Sequence, residues 1–364
     1  MNIIQLLTLT VVMTTVATLC LGAIPSRPQC GTSFSFLASK NNRFGLKVIN
    51  SARWMNNLAA QLSTKKYSQV VIPATHDSGT YNISDVQAFS ADTQSDPSMM
   101  ILPQMYAIFG AYGINQTLVK SFIAPWMHNQ KCSVGDQLLH GIRHFDFRVC
   151  VVPGAAGFSK FVSCHGLVSA QYDVILSEIA EFSRLFPHEL ISIDFNHLYG
   201  FGNGASLHNE FLNGTLERLG GSIGHGVFNR TIGDILRNDP HRVSVFYANA
   251  QYANLWNVSY SGDLPTPWAN KQNFDQLVTA LIQELDVRAD FDHGFVSQFV
   301  MTPDLNMLVS GIITGQNSAL AVANNNYSDL EDIIVDELPR DKLNIINTDY
   351  YSKNFVKTII SMNL

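Results

Sequence analysis

Short apolar runs alternate along this chain with longer stretches whose apolar residues recur at helical spacing. The runs predict strands at 70–72, 144–149, 161–163, 190–195, 243–247, 295–301 and 343–347. The longer stretches predict helices at 134–140, 172–185, 206–219 and 274–285. Strand followed by helix, repeated, implies a largely parallel sheet, because a parallel pair needs a crossover and a helix is the usual one. The fold class is therefore α/β. About seven such units in one domain favour a closed (β/α) barrel, with an open doubly wound sheet as the alternative.

Several of these strands end in polar or titratable residues: Thr75-His76-Asp77, Asp146-Phe147-Arg148, Cys164-His165-Gly166 and Asp194-Phe195-Asn196. Parallel β/α folds gather their active sites at the C-terminal strand ends, so these groups are expected on one face. No repeat, linker or composition shift divides the later chain, and 51–364 reads as a single catalytic domain. The long segment 81–131, with Met99-Met100-Ile101-Leu102 and the aromatic run around Tyr106 and Phe109, is expected to form a helix packed on the barrel. The alternative is a rim that dips into lipid.

Composition changes the picture mainly by exclusion. Of 364 residues, 46% are hydrophobic and 14% charged, with a net charge of −6, which suits a large core. No basic run could neutralise a row of phosphates, so nucleic acid is not an expected partner. Residues 1–23 carry no charged side chain, are apolar through Leu21 and end in small residues. They read as a signal peptide, followed by an extension at 24–50; an uncleaved anchor is the alternative. Secretion agrees with glycosylation sequons at Asn82, Asn115, Asn213, Asn229, Asn257 and Asn326. Beyond Cys20 in the leader, four cysteines remain. Cys150 and Cys164 flank a Gly/Pro turn and are expected to pair, leaving Cys30 for Cys132, although four cysteines allow three pairings.

The chemistry sits in three pieces. His76 follows an apolar strand and is succeeded by Asp77-Ser78-Gly79, which by itself is equally a capped turn. Asp146 and Arg148 alternate with phenylalanines and so share one face of a strand, where they either pair with each other or hold a phosphate. His165 ends a third strand. Two histidines with a guanidinium between them make a coherent set: one imidazole takes a proton from an attacking hydroxyl, the other protonates the leaving oxygen, and the guanidinium offsets charge on phosphorus. His128, His140, His144, His188 and His197 are expected to be structural, with His197 closest to the site through Asp194. Trp126, Trp256 and Trp268 are expected to be core or loop anchors.

These pieces resemble the X-domain of phosphatidylinositol-specific phospholipases C, in the X-domain-containing proteins related to the bacterial enzymes. The resemblance is carried by Ile72 to Thr80, by Gln137 to Arg148, by His165-Gly166, by Pro187 to Asp194 and by Asn344 to Tyr350, and spans Trp54 to Tyr350. It implies a distorted TIM-type barrel and a secreted phosphodiesterase acting on an inositol phospholipid through a cyclic 1,2-phosphate, with transient contact at a membrane surface. It assigns His76 as general base oriented by Asp349, His165 as general acid supported by Asp77, and Arg148 to the phosphoryl oxygens. Asp146, Asp194 and Tyr247 are the expected substrate contacts.

Calcium-dependent relatives have a carboxylate at the position of Arg148. Asp77, Asp146 and Asp194 could offer oxygen ligands, but a guanidinium stands where the ion would be, so no cofactor is expected and calcium is the less favoured reading. Two other readings stay open: a catalytically weak or inactive secreted binding protein on the same barrel, and a metal-dependent glycerophosphodiesterase-like enzyme.

Overall fold

The computed structural model describes Cys30 and residues 51–364, apart from 112–115, 203, 289–291, 305–306, 308–317 and 327–329. The expected signal peptide, the extension at 24–50 other than Cys30, and Asn115 lie outside the described residues, as does the side chain of Asn326.

The strands are β1 (Ile72–Thr75), β2 (His144–Val151), β3 (Phe161–His165), β4 (Leu167–Gln171), β5 (Ile191–Tyr199), β6 (Val243–Tyr247), β7 (Ser259–Tyr260), β8 (Val296–Phe299) and β9 (Ile345–Thr348). The main sheet runs β7-β6-β5-β2-β1-β9-β8, with every neighbouring pair parallel. β3 and β4 form an antiparallel excursion from the end of β2. The sheet curls into a distorted barrel, and its two edges are joined by an irregular stretch rather than a ladder. There the amide of Val296 donates to the carbonyl of Pro265 (2.9 Å), and the side-chain amide of Gln298 donates to Pro267 (3.1 Å). The pattern missed β4 and β7 because β4 mixes polar with apolar residues and β7 has only two residues.

Among the helices are α1 (Ile101–Ala111), α2 (Gln116–Met127), α3 (Val134–His140), α4 (Tyr172–Leu185), α5 (Ala205–Leu219), α6 (Phe274–Asp286), α7 (Ala319–Asn326) and α8 (Lys353–Ser361). Local chemistry sets their ends. Ser133 caps α3 by accepting from the amide of Asp136 (3.2 Å), and Gly141 ends it with φ +113°. Asn273 and Ser352 cap α6 and α8 in the same way. In α4 the buried Ile175, Leu176, Ile179 and Phe182 form one stripe against the sheet. Segment 81–131 forms two helices, α1 and α2, where one was expected. They pack on each other through Leu102, Val119 and Ile123, joined by Met99 just before α1.

Strand alternation divides the core into two layers. Phe145, Phe147, Ile193, Phe195, Val245 and Tyr247 face the helices, with Phe147 and Phe195 stacked at 5.8 Å. The opposite face lines the barrel. At its lower end Ile72, Val296 and Ile345 are apolar. Higher up, the same face carries His144, Ser192, Asp146 and Asp194, all buried. Tyr247 was expected to touch substrate, and here the structure corrects the sequence reading. Its register partner is Phe195 on the helix-facing layer, it is fully buried, and its hydroxyl meets His208 Nδ1 at 2.7 Å.

At the lower end, Arg143 is completely buried and paired with Glu189 (Nη2 to Oε2, 2.7 Å). Arg143 also donates to the carbonyls of Leu138, Ile142 and Ala52, and Glu189 accepts from the amides of Met55 and Asn56. One ion pair thus ties the start of the domain to the entries of β2 and β5. Removing one partner leaves the other charged and dry. Glu189→Ala is expected to lower the unfolding free energy by about 3–5 kcal/mol, measured by chemical denaturation. The double change Arg143→Met with Glu189→Leu should recover much of that loss, since no charge is then stranded.

Candidate active site

The upper rim of the barrel brings together residues from four chain segments. His76 leaves β1, Asp349 leaves β9, Arg148 lies on β2 and His165 ends β3. His76 Nδ1 meets Asp349 Oδ1 at 2.9 Å, which turns His76 Nε2 toward the cavity. Asp77, 1% exposed, lies at the centre. Its Oδ2 is 3.5 Å from His76 Nε2 and 3.7 Å from His165 Nε2, while its Oδ1 is 2.8 Å from Arg148 Nε. The two imidazoles therefore converge on one carboxylate oxygen, with the guanidinium on the other.

Several contacts were not foreseen. His165 was expected to be supported by Asp77, yet its Nδ1 donates to the backbone carbonyl of Met127 at the end of α2 (3.1 Å), and Asp77 faces its other nitrogen. Gly166, next in the chain, donates its amide to Asp92 Oδ2 (2.7 Å). Arg148 has a second carboxylate beside it, Asp96 Oδ2 at 3.5 Å, which is itself held by the Tyr199 hydroxyl at 2.7 Å. Buried Gln130 donates to the carbonyls of His76 (2.8 Å) and Thr348 (2.9 Å), bracing the ends of β1 and β9. All four of these unforeseen partners of the site, Met127, Asp92, Asp96 and Gln130, come from segment 81–131. No periodicity there marked them.

The bulge in β5 explains another. The register with β2 slips after Phe147, so Asn196 is the extra residue, and its side-chain amide donates to Asp146 Oδ1 at 2.6 Å. Beyond it His197, expected to be structural, lines a polar cavity of about 580 Å³ together with Asp146, Asp194 and Asn196. Asp194 is anchored by the Ser261 hydroxyl (2.5 Å). Trp268 is not the buried or loop anchor expected. It is 45% exposed at the lip, its ring 5.5 Å from that of His76. Trp126 and Trp256 do pack in or against the core, and His140 and His144 are held by Tyr351 and Ser192.

Two disulfides frame the site, Cys150–Cys164 and Cys30–Cys132, as the spacing suggested. The first joins the strands that carry Arg148 and His165.

Electrostatics separate the two histidines. Burial alone would lower His76, but Asp77, Asp349 and Asp146 outweigh it and carry the imidazole up to about 9. His165 is held below the usual histidine value by burial, and by Arg148 and His76, against the pull of Asp77. Asp77 is buried too, yet Arg148 and the imidazoles hold it far below the usual carboxylate range. Asp194 is pushed up to about 7 by burial, with Asp146 adding to the effect. Ligand atoms of His76, Asp77 and Asp146 lie within 4.8 Å of one another, close enough for one ion. An ion there would share Asp77 with Arg148 and would have to displace the His76 proton.

No family model matches the chain. It is 28% identical over 322 residues to PI-PLC X domain-containing protein 2 of Mus musculus, covering 86% of this chain and 88% of that protein. In fold it is similar to the phosphatidylinositol-specific phospholipase C of Staphylococcus aureus (TM-score 0.59, 15% identity, covering 86% of this chain and 98% of that one). The Listeria monocytogenes phosphatidylinositol-specific phospholipase C gives a TM-score of 0.56 at 16% identity, covering 86% and 99%. Over most of its length the chain is thus similar in sequence to PI-PLC X domain-containing proteins, and its TIM-type barrel is similar to that of the bacterial phosphatidylinositol-specific phospholipases C.

Proposed function

We propose that the chain is a phosphodiesterase that cleaves inositol phospholipids, with His76 and His165 moving protons and Arg148 binding the phosphoryl oxygens. The observation that carries this reading is the convergence of both Nε2 atoms and the guanidinium on the single carboxylate of Asp77. A binding protein on the same barrel would have no use for two proton-transfer groups held in this way.

In this reading the inositol hydroxyl next to the phosphate attacks phosphorus and gives its proton to one imidazole. The bond to the lipid alcohol breaks, and the other imidazole, as imidazolium, protonates the leaving oxygen. The products are a cyclic 1,2-phosphate and the free alcohol, and the pair of imidazoles ends with the single proton it began with. Arg148 stabilises the charge that grows on the phosphoryl oxygens. Asp77 keeps Arg148 and both rings aimed inward, and Asp349 fixes the tautomer of His76. Asp146, Asp194 and Asn196 line the polar cavity where the polyol would lie. No metal is needed, because the guanidinium already supplies the positive charge and His76 is protonated at neutral pH.

The pair must carry one proton to work: neither imidazole can act as acid above the higher value, nor as base below the lower one. In the free protein the proton rests on His76, whereas the family resemblance needs it on His165. Both placements have the same proton count and so the same pH limits. The kcat/KM profile is expected to be a bell, with its alkaline limb near 9 from His76 and its acid limb below the ordinary histidine value from His165. A profile that keeps rising through the alkaline limb would remove His76 from proton transfer.

Purified protein should convert labelled phosphatidylinositol to cyclic inositol phosphate equally well with and without chelator. His76→Ala and His165→Ala should each cut turnover by about 10²–10⁴-fold. Survival of turnover in either variant defeats the acid/base pairing, and dependence on added metal favours the metal-dependent reading.

We further propose that the protein is secreted. Its two disulfides suit an oxidising compartment, and Asn82, Asn213, Asn229 and Asn257 are exposed. Expressed in a secretory eukaryotic host, the protein should appear in the medium and gain mobility on treatment with an N-glycosidase. Retention inside the cell at unmodified mass would argue the reverse.

A further inference from the structure

The site has two compartments of opposite character. The polar one, already described, is lined by Asp146, Asp194, Asn196 and His197. The other, about 470 Å³, is walled by Met99, Leu102, Ile123 and Trp126 on one side and by Met301 and Ala319 on the other. His76, Arg148 and Trp268 border both compartments. The remaining site residues do not: His165 lines only the apolar compartment, and Asp146 and Asp194 only the polar one.

We propose that the apolar chamber receives the hydrocarbon chain of the leaving alcohol, so that the preferred substrate is an inositol phosphodiester bearing a single long acyl chain. This rests on the phosphodiesterase reading above. Phosphorus must lie against Arg148, at the border. The polyol that attacks is better matched to the polar side; the other side offers Ser98, Asn129, Thr302 and Asp349, but apolar residues predominate there. The leaving oxygen must then project toward His165, the one proton-transfer group that belongs to the apolar side alone. Whatever that oxygen carries enters a space walled by methionine, aliphatic and aromatic side chains. The volume lies in the range that encloses one small ligand, and a single chain would occupy it.

A second observation points the same way. Trp126 is 4% exposed and lines the chamber, and its indole N–H meets no acceptor among the described residues. A buried donor without a partner is costly. The ester carbonyl of an acyl chain is an acceptor of suitable kind to meet it. The walls also have a specific origin. Four of the named residues belong to segment 81–131, and Ala319 opens α7, so the chamber is made by parts of the chain that stand outside the parallel sheet.

The test uses the full chain and a set of inositol phosphodiesters with the same headgroup: glycerophosphoinositol, then lysophosphatidylinositols of increasing chain length, each below its micelle concentration. The value of kcat/KM is expected to rise about threefold to fourfold with each methylene, as transfer of that group out of water predicts, and to level off once the chamber is full. Equal values along the series, or a rise only when micelles form, overturn the proposal and leave the phosphodiesterase reading intact. If no member is cleaved, that reading fails instead. The chamber is then judged by calorimetric titration with monoacylglycerols: chain-length-dependent binding supports it and no binding overturns it. Ala319→Phe, which adds bulk to the wall, should reduce the preference for long over short chains about 10-fold and weaken monoacylglycerol binding. An unchanged preference and unchanged binding count against the chamber. Ala319→Leu carries the same test should the larger variant not fold.

Discussion

The geometry of the rim depends on keeping one carboxylate ionised in a dry place. Asp77 is almost wholly buried, and an isolated charge there would be strongly unfavourable. Arg148 and the two imidazoles offset that charge, and in doing so all three are drawn to the same point from different strands. The attraction works in both directions. His76 is also buried and owes its charge to the carboxylates around it, while the half-buried guanidinium of Arg148 is raised further by the same groups. Taking Asp77 away would therefore do more than remove one contact: it would leave a guanidinium and an imidazolium facing each other, and His76 would lose the foremost of the three charges that raise it.

The backbone places these groups by a device used three times. The residue after His76, the residue after His165 and the residue after Asp349 all lie in the left-handed region: Asp77 at φ +43°, Gly166 at +67° and Tyr350 at +46°. A left-handed residue turns the chain sharply off the end of a strand, which leaves the preceding side chain standing at the rim rather than continuing the ladder. Glycine adopts that conformation without cost, whereas aspartate and tyrosine do not. At Asp77 the turn is secured by Thr80, whose amide and hydroxyl both donate to the Asp77 carbonyl (3.0 and 2.7 Å). At Tyr350 the amide donates to the carbonyl of Asn129 (2.9 Å), and the hydroxyl reaches His128. Left-handed backbone thus stands directly after both His76 and Asp349 and is held in place by tertiary bonds.

How far the sequence could be read follows from the same physics. Apolar runs and helical spacing located the sheet and its covering helices, because burial imposes those periods directly. The alternation of Asp146 and Arg148 with phenylalanines revealed the face that lines the site. Tyr247 was the instructive error. In Val243-Ser244-Val245-Phe246-Tyr247 the tyrosine shares parity with the two valines, so the same rule that placed Asp146 correctly would have put Tyr247 under the helices. Asn196 and His197 were hidden by a bulge, which breaks the period on which the reading relied. Asp92, Asp96, Gln130 and the Met127 carbonyl carry no period at all. Their roles exist only once segment 81–131 has folded over the strand ends.

That segment is therefore an integral part of the site and not a decoration on a finished barrel. His165 hangs by Nδ1 from the last turn of α2, and the amide of the next residue is held by Asp92. A ring fixed in this way presents Nε2 to the cavity in one orientation. The same two helices supply wall residues to the apolar chamber that His165 borders. The position of His165 and the shape of the apolar chamber are thus set by one structural unit. Repacking α1 against α2, through Leu102 or Ile123 for instance, would alter both together, whereas changes in the β5 bulge would touch only the polar compartment. The apolar chamber and the setting of His165 can therefore change together while the polar compartment stays constant, because the two halves of the cavity are built from different elements that share only His76, Arg148 and Trp268 at their border.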